Sequence, residues 1–327
     1  MTATKPSDLS RQAKTLLTRS LYDPKKLVLL HAAVSLGITL LMTALSYFFS
    51  LKIADTGGLA GMGTRSILTT IQSVLEFLVM VLLPFWEIGI LFSALRWASG
   101  EDATPPDLLR GFHRFRAVLG AKLLQGVVLI AISIAVVYTC TFFYLMTPYG
   151  TRLMELMDPL LMGSDPEILM DEAWVNTIME EMAPLMTVSW VIVAFLAIPV
   201  FYRLRFADYA VLEGTPAFRS LIQSVQMTKG NWRHLLKIDL YFWWFYLLQI
   251  LTVAISYGDT ILEWLGIPLP LSRDGSFFLF YIVGIVCQCV LLWQCQSKVL
   301  TTYGLLYRGI CPQNPPIDPE TQSKLSD

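Results

Sequence analysis

Charge is what this 327-residue chain has least of. Only 15% of its residues are Asp, Glu, Lys or Arg, against about 25% in an ordinary soluble globule. The formal net charge is −1, which excludes the broad positive field of a nucleic-acid binder. Histidine occurs three times, as His31, His113 and His234, in separate segments. The five cysteines, Cys140, Cys287, Cys289, Cys295 and Cys311, lack zinc-finger spacing. Four of them lie in apolar runs, where they read as small core-filling thiols. No His-Glu-x-x-His, Walker loop, Gly-x-Ser-x-Gly or Gly-x-Gly-x-x-Gly occurs. No catalytic residue, metal or cofactor is therefore expected. Nor is a cleavable leader, because the first apolar run begins only near Leu27 and lacks a small-residue cleavage site.

What the chain has in excess is apolar sequence: 55% hydrophobic residues and a mean hydropathy of +0.57. One water-soluble core of this length cannot hide so much, so the expected solvent is a bilayer. A spanning helix needs about 20 mostly apolar residues. Six stretches qualify, roughly 27–51, 67–95, 117–146, 185–202, 235–257 and 276–304. The hydrocarbon offers no water to backbone groups, so each must be a helix. The expected fold is all-α: a polytopic membrane domain over 1–308 with six transmembrane helices. A disordered, polar tail over 309–327 should follow.

Lysine and arginine orient the set. Nineteen of the 24 cluster before span one, between spans two and three, between spans four and five, and after span six; the opposite connections hold only Lys52, Arg65, Arg152 and Arg273. Both termini are then expected in the cytoplasm, with the chain in the inner membrane. The stretch "SVQMTKGNWRHLLKIDLYFWWF" (224–245) becomes the basic foot of span five. Its Lys229, Arg233 and Lys237 are expected among anionic headgroups.

The approaches to spans one, three and five share helical apolar spacing. Leu9, Ala13, Leu16 and Leu17 form one face; Leu108, Phe112 and Phe115 a second; Phe218, Leu221, Ile222 and Val225 a third. Each predicts an interfacial amphipathic helix lying in the headgroup plane. Thr104 and Thr215, each before proline, are N-cap candidates, and Gly230 is a stop for the third elbow. The outer loop 147–184 is strongly acidic and should fold as short amphipathic helices over the far mouth.

Two segments carry a resemblance. "LPFWEIGILFSALRWASGEDATPPDLLRGF" (83–112) has the proline, glycine, basic, Gly-Glu, Asp-Leu-x-x-Gly-Phe order of a bacterial membrane family. "AIPVFYRLRFADYAVLEGTPAFRSLIQSVQMTKGNWRHLLKIDLYFWWFYLL" (197–248) is similar to its second signature. The family is known as domain of unknown function nine-seven-five. The resemblance implies an integral membrane protein and no known reaction or catalytic residue.

Ionisable groups inside spans are costly and mark candidate sites. Glu76 and Glu87 are eleven residues apart, about three turns, so they project from nearly one face of span two. Lys122 lies about one turn into span three, within reach of a Glu87–Lys122 pair. Such a pair either fixes helix packing or lines a polar track for ions. Asp239 lies just past the basic ground at Arg233 and Lys237, and Arg203, Arg205 and Asp208 sit at the mouth of span four, as a ring of ion pairs joining spans four and five or as an anion or lipid-headgroup site. Two functions stay open. One is a non-enzymatic scaffold that binds membrane lipids through its basic elbows, with a membrane-protein partner or a second copy as further possible company. The other is a small-solute or ion transporter using Glu76, Glu87 and Lys122.

Overall fold

The computed structural model describes residues 5–55, 62–161, 172–267 and 272–310. Among them the chain is helical throughout, with α1 (Pro6–Arg19), α2 (Pro24–Asp55), α3 (Met62–Ala98), a 3-10 turn (Pro105–Leu109) and α4 (Arg110–His113). Then follow α5 (Phe115–Leu145), α6 (Pro148–Leu161), α7 (Glu172–Leu204), α8 (Ala207–Leu212) and α9 (Ala217–Tyr241). The last are α10 (Trp243–Ser256), α11 (Gly258–Trp264), α12 (Arg273–Leu291), a π-helical turn (Leu292–Gln296) and α13 (Ser297–Ile310). Five helices are long and apolar enough to cross a membrane, six if α9 and α10 count as one bent crossing. This is an all-α polytopic membrane protein.

α1 packs on α13, so the described ends of the chain lie together, at the end of the bundle rich in lysine and arginine. We call this the basic end. The buried apolar cluster sits there too, running from Leu9, Leu27 and Val28 through Phe85, Ile88, Trp97 and Leu108 to Phe206, Leu235, Phe242 and Tyr307.

Three expectations change in detail. The third elbow does not stop at Gly230. α9 runs unbroken to Tyr241, and the break comes at Phe242, where the two halves meet at 58°. The helix begins at Ala217, with Pro216 rather than Thr215 in the cap position. The second elbow is a 3-10 turn and a four-residue helix, because it inserts into α3 at near-contact distance. A Cβ on Gly89 would stand 1.9 Å from the Leu108 carbonyl oxygen, and one on Gly111 would stand 2.0 Å from that of Phe85. Thr104 does cap this turn, in a capping box with Asp107. The apolar face of α1 lies against protein: Leu9 and Ala13 are buried where the helix meets α13 and α3.

Part of the acidic loop is also more regular than expected. Residues from Glu172 onward belong to α7. α6 is fastened to it by Arg152 to Glu181 at 3.2 Å and by the Trp174 indole N–H on the Leu156 carbonyl. Asp165, Glu167 and Asp171 of that loop, and the tail beyond Ile310, lie outside the described residues.

Candidate functional site

The polar chemistry of the molecule gathers around one interruption. Between α7 and α8 the helix opens at Arg205–Phe206, which leaves backbone groups without helical partners. α9 supplies them from its buried face. Ser224 Oγ accepts from the Phe206 N–H at 3.0 Å and donates to the Arg203 carbonyl at 2.7 Å, and Thr228 Oγ1 donates to the same carbonyl at 3.2 Å. Arg203 therefore acts through its backbone, and its side chain is exposed. The same contacts explain why α9 buries Ser220, Ser224, Met227 and Thr228, whereas Phe218 and Ile222, of the apolar face expected at the headgroup plane, point outward.

The opening releases Arg205 toward Asp239 on α9. Its Nη1 donates to both carboxylate oxygens, at 2.7 and 2.9 Å, and its Nη2 to the Tyr246 hydroxyl of α10 at 3.2 Å. The guanidinium carbon lies 3.9 Å from the ring centre of Tyr303 on α13. The Tyr303 hydroxyl donates to Asp239 Oδ1 and meets the Tyr246 hydroxyl at 2.7 Å. One arginine thus ties together four elements at the point where the fifth crossing bends. The pair is largely shielded, with side-chain exposures of 26% and 20%. Removing one partner of a buried pair costs about 3–5 kcal/mol.

Past the opening, α8 acts as a hub. Asp208 Oδ2 takes Lys122 Nζ at 2.7 Å. The Val211 carbonyl accepts from Arg114 Nη1 at 3.1 Å, and Glu213 accepts the Tyr307 hydroxyl at 2.7 Å. Lys122 is therefore paired with Asp208, not with Glu87 as the span geometry suggested. The break swings Asp208 back into the bundle, and a residue beyond the expected end of span four could not be placed there from periodicity alone. Glu87 remains within electrostatic reach of both, and its side chain is exposed.

The other expected site residues fall elsewhere. Glu76 accepts from Gln72 Nε2 at 2.9 Å and Ser46 Oγ at 3.3 Å, in the half of the bundle remote from α8, so Glu76 and Glu87 do not share one site. Lys229, Arg233 and Lys237 are exposed along one side of α9. His31 is buried and stacked on Trp86 with ring centres 5.4 Å apart. No group of three or more His, Cys, Asp or Glu that could hold a metal occurs among the described residues.

Tyr246 and Tyr303 are the members of this network that the sequence concealed. Tyrosines next to span ends usually read as interfacial anchors. The available signal was Gly304, beside Tyr303, which lets α13 approach α3 until a Cβ would be 3.0 Å from the Ala94 carbonyl oxygen.

Comparison with known proteins adds no further constraint: no family model, no curated protein and no solved structure matches the chain.

Proposed function

We propose that this chain is a non-enzymatic integral membrane protein that holds anionic lipid headgroups on the outward face of α9, with its basic end toward the cytoplasm. The observation that carries this reading is a row of three cations. Lys229, Arg233 and Lys237 are spaced four residues apart, so they line one side of the helix, opposite the Ser224 and Thr228 face that seals the α7–α8 opening. None forms an ion pair among the described residues. Trp232, half exposed, and Leu236 lie beside them, with the Arg233 guanidinium 5.5 Å from the Trp232 ring. Charge flanked by an indole and leucine suits the headgroup level, where each cation contributes about 1 kcal/mol toward anionic lipid.

At the same end of the bundle, Arg96 Nη1 of α3 lies 3.0 Å from both Asp107 oxygens, and Gly89 and Gly111 let α3 and the elbow after it meet closely. The test is retention of phosphatidylglycerol against phosphatidylcholine by the purified chain in native mass spectrometry. The triple change of Lys229, Arg233 and Lys237 to Ala should weaken the preference by about 100-fold, from about 1 kcal/mol per charge. An unchanged preference would refute the headgroup site. Reporter fusions at 57, 164 and 274 should all read outside the cytoplasm, and a cytoplasmic signal from any of them would overturn the orientation.

Transport of an ion or small solute is the second reading. It is favoured by the bent α9–α10 crossing beside an intramembrane ion pair, since interrupted helices at charged residues mark many transporter sites. Proteoliposome flux that survives Glu87→Gln unchanged would remove Glu87 from that reading.

A further inference from the structure

Glu76 faces outward from the bundle at membrane depth. It lies about 15 Å along α3 from Ser66, where the apolar crossing begins, and about 30 Å from Arg96 at the basic end, at about 1.5 Å per residue. That places it inside a hydrocarbon layer about 30 Å thick. Its side chain is exposed, as are Val74, Phe77 and Met80 around it. A carboxyl group at this depth is expensive and needs a partner. Glu76 forms no ion pair among the described residues. The Gln72 amide and the Ser46 hydroxyl both donate to the same oxygen, Oε1, at 2.9 and 3.3 Å. Oε2 accepts nothing among the described residues.

This group belongs to a polar seam. Thr69, Gln72, Ser73 and Glu76 follow the three- and four-residue spacing of one helix face. Thr69, Ser73 and Glu76 are exposed, and Gln72 is half-buried. α2 closes one flank of the seam, where Ser46 Oγ accepts from Gln72 Nε2 at 3.4 Å. Thr43, one turn before Ser46, already meets the Tyr281 hydroxyl of α12 at 3.0 Å. The nearest cation along α2, Lys52, rests over the Phe48 ring at 5.9 Å. The outer flank therefore presents a spare acceptor, Glu76 Oε2, and a spare donor, the Ser73 hydroxyl, less than one turn apart.

Lipid gives apolar faces no drive to associate, so polar side chains and close packing decide where spanning helices meet. A cationic helix from another protein would satisfy Glu76 and leave the Ser73 donor unused. A second copy of this chain supplies both groups. Two copies with the same end inward are related by a twofold axis along the membrane normal, which sets identical patches against each other at equal depth. We propose that the far half of α3 is the contact between two copies of this chain, with the Ser73 hydroxyl of each donating to Glu76 Oε2 of the other. The two carboxyl groups are then joined through hydroxyls and not opposed directly. The seam is remote from the headgroup row on α9, so either can fail without the other.

The test is energy transfer between donor- and acceptor-labelled full chains in phosphatidylcholine vesicles, followed as lipid dilutes the protein. The unmodified chain should show transfer that falls on dilution with the form of a monomer–dimer equilibrium. Ser73→Leu with Glu76→Leu should weaken the dimer about tenfold, through the loss of two crossing hydrogen bonds. Both positions are exposed, so the variant should keep the fold, checked by gel filtration. Glu76→Gln keeps an acceptor oxygen and should stay within about twofold of the unmodified chain. Thr139→Leu, at an exposed polar position of α5, should change nothing. A chain that stays monomeric at the highest density would overturn the proposal. So would a dimer that the double leucine change leaves intact, because the copies would then meet through another face.

Discussion

Along α3, Phe85, Ile88, Ile90, Ala94, Leu95 and Trp97 are buried, all toward the basic end, whereas Ile67, Ile71, Val74, Phe77 and Met80 at the far end are exposed. α2 and α5 repeat the contrast. α2 buries Leu27, Val28, His31 and Ala32 and no later described residue. α5 buries Val118 and Ala121, then nothing until Val136. At the basic end, protein packs on protein and polar groups find specific partners. At the far end the helices leave their apolar side chains to the surrounding lipid, which is as apolar as leucine and offers no drive to bring helices together. The ion pairs Arg96–Asp107, Lys122–Asp208 and Arg205–Asp239 all belong to the basic end. The comparison teaches that the buried apolar cluster specifies the architecture from one side, while the other side adds a few local fastenings such as Arg152–Glu181 to the length and apolarity of its helices.

Glycine substitutions should separate the two ends most sharply. Gly89→Ala and Gly111→Ala force a methyl group into a backbone carbonyl and should cost about 3 kcal/mol or more. Gly37→Ala and Gly126→Ala meet nothing within 4 Å and should be neutral, or stabilise by about 0.5–1 kcal/mol through helix propensity. Thermal unfolding of the four variants in one detergent measures this, and equal losses would erase the contrast. Next in size, Asp239→Asn should cost about 3 kcal/mol by leaving the Arg205 charge without its carboxylate. The joint change Arg205→Met with Asp239→Leu should recover most of that loss, since apolar replacement of a buried pair is often neutral. The smallest effect belongs to the far end. Gln72→Ala breaks the bond to Glu76 and should cost about 0.6 kcal/mol, the usual size of an intramembrane hydrogen bond. A loss as large as that of Asp239→Asn would show a second structural centre.

The sequence revealed the spans because about 20 apolar residues in a row have few other uses. α2, α3 and α5 begin and end within a few residues of expectation. It revealed the Arg205–Asp239 pairing as a candidate because both lie at the edge of their spans. It misplaced Lys122, because the choice between Glu87 and Asp208 depends on a turn at Arg205–Phe206 that no proline or glycine announces. It could not show the packed face of the third elbow, which is made of serine and threonine that satisfy a neighbouring helix end; apolar periodicity marked only the outward side, where Phe218 and Ile222 are exposed. Gly230 suggested a stop, yet it has open space around it and the helix continues through.

α1 has its longest-range consequence in time rather than in space. Its apolar face is covered by α13, and roughly 280 residues separate the two, so contact requires nearly the whole chain to have left the ribosome. Throughout synthesis Leu9 and Ala13 must wait on the bilayer surface or on a chaperone. The last described helix to emerge is then the one that covers the first, and a message truncated before Ser297 would yield inserted spans whose first described helix never docks.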